Sequence, residues 1–485
     1  MLKITLFISG GIFPIFSLSL IPTLIHTILE KNYKFSIQLS VYIAILIILH
    51  FTIKRIIFPT RQLNTIQGFG AVGISWFLIS LYASIPYLFS NVNLTYIDIL
   101  FETISGLTTT GSSVITDIES IDKSLLIWRS TTQWLGGMGI IVLTITVLPL
   151  LGSGGINLFK AESPGPSADR LTPRFQDTAR LLWLIYISLT IIETIFLYFS
   201  GLSFYDSFNH AFTTLSTGGF STFSSSVSEF SNLTIFIINI FMFLAGSSFI
   251  LLLRVLKNKS LKELINSSEF KFYSFIVVST AAIFLIKTIE ISENLLIAIN
   301  NAFFTSLTLI TTTGYTLFDY ENWNNNYRIF ILGVMFLGGM SGSTAGGLKT
   351  VRVIALLKSV RNEIRKIFYP NAIFKIRMSK SIIPERLIES VQTFFILYVA
   401  IFVLGTFGIS LSSNLLGNPL SFEAILGGVA SAMNNVGPGL AELGPINNYF
   451  YIDQGSKLIL SLLMIVGRLE IFPIAILFYR KTWKS

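Results

Sequence analysis

Long apolar segments dominate this sequence and limit what it can fold into. A helix needs about 20 mostly apolar residues to span a bilayer. The first segments to reach that length are residues 4–29, 36–57, 68–89, 125–151, 181–202 and 233–253, and more follow. Charged residues make up only 12% of the chain, against about 25% in average soluble domains. The sequence therefore predicts a polytopic membrane protein. Residues 4–29 lack a small-residue cleavage site, so we expect a retained helix and not a signal peptide.

The composition excludes several kinds of chemistry. The sequence has no cysteine, which rules out disulfides, thiolate metal sites and cysteine nucleophiles. Only His26, His50 and His210 could supply an imidazole. The net charge of +9 does not indicate nucleic acid, because lysine and arginine in a membrane protein mark cytoplasmic loops.

A short motif ending in glycine recurs four times, each time after an apolar segment too short to span a membrane. The copies are Thr108-Thr109-Thr110-Gly111, Leu215-Ser216-Thr217-Gly218, Thr311-Thr312-Thr313-Gly314 and Asn434-Asn435-Val436-Gly437. Their glycines are 107, 96 and 123 residues apart (218 minus 111, 314 minus 218, 437 minus 314). Phe101, Phe208 and Phe304 each precede their glycine by ten residues, and Gly427 has that place in the fourth copy.

Each copy lies between two apolar segments, which predicts four repeats of outer helix, re-entrant pore loop and inner helix. The expected fold is an all-α polytopic membrane protein with four pseudo-symmetric repeats around one ion pore, preceded by two helices. The predicted segments are an N-terminal helix pair in residues 1–57 and pore repeats in 58–160, 170–257, 265–366 and 381–485.

The motif itself suits cation selection. A helix that ends halfway through the membrane directs its partly negative C-terminal end inward, which favours a cation. The carbonyls of an extended Thr-Gly run can replace an ion's water, and the glycine supplies dihedrals that other residues avoid. No carboxylate lies in the motifs, so potassium is favoured over calcium or magnesium. The predicted filter residues are Thr109, Thr110, Gly111, Ser216, Thr217, Gly218, Thr312, Thr313, Gly314, Asn435, Val436 and Gly437.

A single such motif would more often be a threonine-rich turn that caps a helix, and only the four aligned copies favour a filter. The copies are unequal, since Leu215 and Val436 break the threonine pattern and Pro438 follows the fourth glycine. We therefore expect moderate selectivity for potassium over sodium.

The loop charges predict the orientation. Lysine and arginine cluster after the inner helices, in residues 254–262, 349–380 and 480–484, which places those ends in the cytoplasm. The opposite side carries Asp117, Glu119, Asp122, Asp319, Glu321, Glu442 and Asp453. The motifs should therefore open outward beneath an acidic rim, although outer loops that simply lack positive charge would look the same.

A glycine-rich stretch interrupts the third inner helix. Its small residues are Gly338, Gly339, Ser341, Gly342, Ser343, Thr344, Gly346 and Gly347. Glycine costs a helix about 1 kcal/mol per position, so we expect an unwound loop that borders water or protein. This glycine loop (residues 338–347) would lie below the filter and could obstruct the pore. The other inner helices also carry glycines, Gly136, Gly246 and Gly467, and for the first two we favour close helix packing as the explanation.

Arg468 lies at comparable depth, eleven residues after Lys457. An arginine there costs at least ~2.5 to 3.5 kcal/mol unless it faces water or a partner. Glu470 lies on another side of the same helix. We expect Arg468 to be a positive barrier in the pore or a clasp on the glycine loop, with a salt bridge to another helix as the alternative.

Other buried charges carry less weight. Glu193, Lys287, Glu290 and His210 lie on different helices and are more typical of packing partners or of side chains that reach an interface. Glu102, in the first short segment, could support the filter from behind.

Four stretches together resemble the Trk/Ktr/HKT superfamily of potassium transporters, most closely bacterial TrkH-type subunits. They are FETISGLTTTG in residues 101–111, QWLGGMG in 133–139, AESPGP in 161–166 and GSTAGGL in 342–348. The resemblance implies one pore from four repeats, a filter at the four glycines, an intramembrane gating loop and an opposing arginine at Arg468. It also implies a homodimer in a bacterial inner membrane and a cytosolic TrkA-type regulatory subunit. The chain has no nucleotide-binding glycine motif, so no cofactor is expected in it, and any nucleotide would bind that partner.

The sequence thus favours a gated potassium uptake pore. A sodium- or proton-coupled potassium symporter is the alternative. A membrane-embedded enzyme is a distant one, since it would need clustered titratable groups at membrane depth. The basic residues 349–380 are the expected docking surface for the regulatory subunit, with anionic lipid as the rival partner.

Overall fold

The computed structural model describes residues 2–56, 65–90, 92–139, 175–379 and 381–479. Within these ranges the chain is helical apart from turns, loops and one antiparallel ladder, β1 (Arg377–Met378) with β2 (Ser381–Ile382). Three predicted features lie outside the described residues. They are the second half of the first inner helix, the AESPGP motif in residues 161–166, and the C-terminal basic residues.

The predicted N-terminal pair forms a hairpin. Its helices are α1 (Leu2–Ser19), α2 (Ile21–Leu29) and α3 (Tyr33–Ile56). Asn32 at the tip donates a 2.8 Å hydrogen bond to Asp122 of the first repeat. The apolar side chain of Ile37 is 64% exposed on the other side of α3. An apolar face of this kind is expected to contact lipid.

Outer helix, short helix and inner helix recur in the same order in all four repeats. Repeat 1 contains α4 (Thr65–Ala83), α5 (Ile85–Phe89), α6 (Tyr96–Leu107) and α7 (Lys123–Gly137). Repeat 2 contains α8 (Phe175–Phe199), α9 (Phe204–Leu215), α10 (Asn232–Ala245) and α11 (Phe249–Asn258). After α12 (Lys262–Asn266), repeat 3 contains α13 (Ser268–Ile291), α14 (Leu295–Ile310), α15 (Asn325–Met335) and α16 (Thr350–Phe368). Repeat 4 contains α17 (Glu385–Leu415), α18 (Phe422–Asn434), α19 (Gln454–Arg468) and α20 (Phe472–Ala475).

Length and apolarity separate the spanning helices from the short ones. Among the described residues, six helices are long and apolar enough to cross a membrane, namely the N-terminal pair and one outer helix from each repeat. The short helices α6, α9, α14 and α18 have 12, 12, 16 and 13 residues. At 1.5 Å per residue they end inside a hydrocarbon layer about 30 Å thick.

Polar caps determine where the short helices begin. Thr95, Ser203, Asn294 and Ser421 each accept a hydrogen bond from a backbone N–H in the first turn. Such caps satisfy one of the four N–H groups that a helix start leaves unpaired. The cap marks the N-terminal end of each short helix. The C-terminal carbonyls therefore point into the protein interior.

The inner helices are more broken than the sequence indicated. We expected continuous helices near residues 233–253 and 458–479, with a break only in the third repeat. The structure bends by 95° between α10 and α11, and by 115° after α19. The expectation of continuous helices in repeats 2 and 4 was therefore wrong.

Backbone hydrogen bonds explain the break in repeat 2. The N–H of Met340 in the glycine loop donates to the Gly246 carbonyl (2.9 Å), and the N–H of Phe249 donates to the Gly342 carbonyl (3.0 Å). The polar groups freed by the broken helix thus pair with those of an unwound loop. The glycine loop and the broken helix therefore supply each other's backbone hydrogen-bond partners. The sequence of one helix alone does not show this pairing.

Glycines let the inner helices approach the short helices closely. A Cβ atom on Gly136 would lie 1.9 Å from the Leu107 carbonyl oxygen, and one on Gly467 would lie 2.2 Å from that of Met433. Leu107 and Met433 are at the ends of the short helices in the same two repeats. Close packing, which was predicted for Gly136 but not for Gly467, therefore fixes each short helix against its inner helix.

We predict that Gly467→Ala destabilises the protein by about 1–3 kcal/mol, because the added methyl group overpacks the contact with Met433. Thermal unfolding of the purified protein in detergent measures this.

The matched control is Gly333→Ala in α15, where a Cβ meets nothing within 4 Å. Alanine there should stabilise slightly, since it favours a helix by about 1 kcal/mol. Equal shifts for the two variants would contradict the packing argument.

Candidate ion filter and gate

The four short helices end in the same unusual backbone conformation. Thr109, Thr217, Thr312 and Asn435 have φ of 55°, 55°, 55° and 56°. Two residues later, Gly111, Gly219, Gly314 and Gly437 have φ of 86°, 73°, 79° and 110°. A non-glycine residue in this left-handed region costs roughly 1–2 kcal/mol. The same strained conformation at four equivalent places indicates a shared function and not four independent turns.

The conformation corrects the alignment of repeat 2 by one residue. Ser216 caps α9 as Thr108 caps α6, so Gly219, and not Gly218, is equivalent to Gly111. The sequence alignment chose the first of two adjacent glycines. The corrected spacings are 108 and 95 residues (219 minus 111, 314 minus 219). Asn209, and not Phe208, then takes the place of the preceding aromatic residue.

The four segments contact one another in a closed ring. A Cβ on each left-handed glycine would strike the carbonyl oxygen that precedes the glycine of the next repeat. The distances are 2.2 Å from Gly111 to Gly218, 1.9 Å from Gly219 to Thr313, 1.9 Å from Gly314 to Val436 and 2.7 Å from Gly437 to Thr110. All four glycines also line one cavity open at the surface. We call the carbonyls of Thr110, Gly218, Thr313 and Val436 the carbonyl ring.

Most carbonyls of these segments have no hydrogen-bond donor. In the described part of the chain, no donor reaches the carbonyl oxygens of Thr109, Thr110, Thr217, Thr312, Thr313, Asn435 or Val436. The same residues are at most 1% exposed. Buried backbone carbonyls are nearly always paired. A buried set left open in this way is chemically suited to hold a cation that has lost its water.

Side chains hold the segments in shape and join neighbouring repeats. The hydroxyls of Thr108 and Thr110 are 2.7 Å apart, as are those of Thr311 and Thr313. Asn435 donates to the Thr110 hydroxyl (2.9 Å) and so joins the fourth segment to the first. The threonine hydroxyls thus hold the segments in shape, while no described donor reaches the carbonyls of Thr110 and Thr313.

The glycine loop lies directly against the ends of three short helices. The Thr344 hydroxyl donates to the Leu215 carbonyl (2.9 Å), and the Gly346 N–H donates to the Thr312 hydroxyl (2.7 Å). A Cβ on Gly346 would lie 2.2 Å from the Asn434 carbonyl oxygen. The loop therefore occupies the space on the inner side of the carbonyl ring.

Arg468 holds this loop through its backbone. Its guanidinium donates to the carbonyl of Thr344 (2.8 Å) and to those of Gly136 (2.7 Å) and Gly137 (3.1 Å). Each described partner of Arg468 is a carbonyl oxygen, and Glu470 pairs instead with Arg352. Among the described residues Arg468 forms no salt bridge, so the structure gives no support to that alternative.

Comparison with known proteins identifies the family of this chain. The sequence profile of TrkH, described as a cation transport protein, matches residues 34–485. The chain belongs to the TrkH family. It is 34% identical over 432 residues to the Trk system potassium uptake protein TrkH of Escherichia coli (strain K12), covering 87% of each chain. It is 30% identical over 495 residues to TrkH of Halomonas elongata, covering 100% of both. The crystal structure of the potassium transporter TrkH from Vibrio parahaemolyticus covers 100% of both chains with a TM-score of 0.87 at 28% identity.

A buried ion pair lies behind the first of the four segments in this TrkH-family chain. Glu102 of α6 accepts a 2.6 Å hydrogen bond from Arg129 of α7 and a 2.8 Å bond from the Val114 N–H. Arg129 also donates to the Ser221 carbonyl (3.0 Å). Glu102 thus lies where the sequence predicted a support. Arg129 was missed, although an arginine within a predicted spanning segment was a usable signal.

The four other titratable residues that the sequence placed on predicted helices differ in their exposure and in their partners. Lys287 and Glu290 form an exposed pair (2.6 Å) near the end of α13, as expected for side chains that reach an interface. His210 lies beside the Ser221 hydroxyl (3.0 Å). Glu193 is 0% exposed, and no described residue hydrogen-bonds its carboxyl oxygens. Glu193 therefore does not reach an interface, contrary to one of the two expectations for it.

The acidic residues of the outer loops have local structural roles. Asp122 and Asp453 cap the inner helices α7 and α19. Glu119 accepts hydrogen bonds from the backbone (2.7 Å) and hydroxyl of Ser224. Burial alone would raise the pKa of Glu119, but the bonds from Ser224 outweigh it and lower that pKa below its ordinary value. These carboxylates therefore order the loops around the opening, whatever they add to its charge.

We predict that Arg129→Leu destabilises the protein by about 3–5 kcal/mol, because it leaves the Glu102 carboxylate buried without its partner. Thermal unfolding in detergent is the measurement.

Lys287→Leu is the matched control, since its pair with Glu290 has side chains 20% and 59% exposed. Surface pairs contribute about 0–1 kcal/mol. A loss for Arg129→Leu no larger than that of the control would show that the buried pair does not support the fold.

Proposed function

We propose that this chain is the pore-forming subunit of a potassium uptake system in a bacterial inner membrane. The observation that carries the proposal is the closed ring of four equivalent segments, in which seven buried carbonyls have no donor among the described residues. The relatives of this chain include proteins named as Trk system potassium uptake proteins. The filter side would face outward and the basic loops inward, by the positive-inside rule.

Potassium suits such a site better than the smaller hard cations. Calcium and magnesium usually bind carboxylate oxygens, and the four segments carry none. Among the described residues there is also no group of three His, Cys, Asp or Glu side chains able to hold a metal. Backbone carbonyls match a weakly hydrated ion. This favours a filter for monovalent cations and gives no support to a membrane-embedded enzyme.

The glycine loop and Arg468 would form the gate. The loop occupies the path below the carbonyl ring, and Arg468 ties it to the end of α7 through the carbonyls of Gly136 and Gly137. Several of these bonds must break together before the loop can move. The filter would therefore select the ion, and the loop would decide when it passes.

Membrane potential alone can drive accumulation. Moving one charge through 100 mV releases about 2.3 kcal/mol, and a tenfold ratio corresponds to about 1.4 kcal/mol. Dividing the first figure by the second gives about 1.6 powers of ten, which is roughly 40-fold accumulation. The uptake itself then needs no nucleotide hydrolysis by this chain. Coupling to sodium or protons would show as a reversal potential that shifts with the second ion.

Regulation would come from other chains. We include in the proposal a homodimer with one pore per subunit and a cytosolic TrkA-type subunit that binds the nucleotide. Helix α16 follows the glycine loop directly and carries Lys358, Arg361 and Arg365. A partner bound to these cations would act on the gate through the helix attached to it, whereas anionic lipid would only hold the helix at the membrane.

We predict that Gly314→Ser abolishes the potassium preference. Its φ of 79° disfavours a side chain, and a Cβ would lie 1.9 Å from the Val436 carbonyl oxygen of the ring. Potassium-limited growth of a transport-deficient bacterium tests uptake, and reversal potentials in potassium and sodium gradients test selectivity.

The matched control is Gly417→Ser. Gly417 is also left-handed (φ 77°), but a Cβ there meets nothing within 4 Å. The wild type and this control should support growth, with the regulatory subunit supplied. Failure of the wild type would count against uptake, and unchanged ion ratios in Gly314→Ser would remove this glycine from the filter.

Two substitutions of Arg468 separate a positive barrier from a clasp. We predict that Arg468→Ala raises flux, because the glycine loop loses its anchor. Lysine keeps the charge but lacks the planar fork that reaches two carbonyls at once. A flux in Arg468→Lys close to that of Arg468→Ala identifies a clasp, whereas a flux close to wild type identifies a charge barrier. No rise in either variant would exclude Arg468 from the gate.

A further inference from the structure

The carbonyl ring has one member that differs from the others. Three of its positions are Thr110, Thr313 and Val436, and the fourth is Gly218. No described donor reaches the carbonyl oxygens of the first three, but that of Gly218 accepts a 2.6 Å hydrogen bond from Nε2 of Gln133. Among the described residues, the Gly218 oxygen is therefore the one ring oxygen with a hydrogen-bond donor.

Gln133 reaches that carbonyl from the first inner helix, α7. Its side chain is 0% exposed, and its Oε1 accepts a 3.1 Å bond from the Phe220 N–H. A carbonyl at one end and an N–H at the other fix which atom of the amide is oxygen and which is nitrogen. The amide thus spans the second segment from Gly218 to Phe220 as a clamp.

Gly218 and Gln133 fit each other sterically. A Cβ on Gly218 would lie 2.3 Å from Cδ and 2.4 Å from Oε1 of Gln133. Threonine, which the first and third segments have at this position, therefore cannot coexist with the amide. In those segments the threonine hydroxyl supports the turn through a 2.7 Å contact. In the second segment the glutamine replaces that support and also bonds the ring.

We propose that Gln133 is a specificity-determining residue of the filter, a role that rests on the proposed potassium pore. The amide N–H places partial positive charge beside the Gly218 oxygen and weakens the field which that oxygen exerts on an ion. A weaker carbonyl field disfavours sodium more than potassium, since the smaller ion needs more compensation for its lost water. The clamp also keeps the oxygen from moving inward to meet a smaller ion.

The test is the potassium-to-sodium permeability ratio of Gln133→Leu and Gln133→Glu, measured from reversal potentials of the full-length protein. Leucine removes both hydrogen bonds, and glutamate keeps the acceptor for Phe220 but loses the donor to Gly218. We expect the ratio to fall about tenfold in both, which corresponds to about 1.4 kcal/mol. The matched control is Gln392→Leu, which removes a 2.9 Å bond to Ser359 away from the filter and should leave the ratio unchanged.

The outcomes distinguish this inference from the proposed function. A wild type without potassium preference would overturn the proposed function, and this inference with it. A wild type with that preference, and glutamine variants that share it, would overturn this inference alone. If both variants fail to fold, a structural role accounts for Gln133 and the inference is also overturned.

A compensating pair provides a second, independent readout. Gly218→Thr alone should abolish uptake, because its side chain meets the amide. Gly218→Thr combined with Gln133→Ala empties that space and rebuilds a segment like the first and third, with Ser216 available to support the new hydroxyl. Recovery of uptake in the double variant supports the pairing. A double variant no better than Gly218→Thr would refute it.

Discussion

Unpaired backbone is the constraint on which the rest of this structure depends. A polypeptide inside a membrane must satisfy its own N–H and C=O groups, yet the four segments bury carbonyls that no described donor reaches. Such carbonyls are stable only where the chain around them cannot relax. The hydroxyl pairs of the threonines, the clamp of Gln133 and the Glu102–Arg129 pair each remove a way for a segment to turn those oxygens elsewhere.

The same constraint applies to the glycine loop. The break after α10 releases backbone groups that pair with the glycine loop. At the break after α19, the Arg468 side chain donates to the Thr344 carbonyl of the same loop. Because the loop and the broken helices satisfy one another, the closed arrangement leaves few polar groups exposed to hydrocarbon. In the proposed gate, movement of the loop would break these hydrogen bonds, and water in the pore would have to replace them.

The sequence predicted the parts of this molecule that have a period or a local composition. The spanning helices follow from their apolar length, the four repeats from the recurring motif, and the unwound loop from its glycines. The features that the sequence did not predict depend on backbone conformation and on contacts between distant segments. The choice between Gly218 and Gly219 is a matter of backbone conformation, and the bend at Ser247 and Ser248 exists because a distant loop pairs with it. The hydrogen-bond partners of Gln133 and Arg129 lie 85 and 92 residues away in the chain. A single sequence does not show which distant residues meet in the fold.

The pair of Asp98 and Lys457 has a consequence for how the protein is made. These buried side chains are 2.6 Å apart and join the first short helix to the last inner helix, across 359 residues of sequence. A ribosome delivers Asp98 to the membrane long before Lys457 emerges. During that interval the Asp98 carboxylate has the Thr95 N–H and hydroxyl of its own helix turn as donors, but not yet the ammonium of Lys457. The last repeat to be synthesised therefore both completes the ring and supplies the cation that pairs with a buried carboxylate of the first repeat.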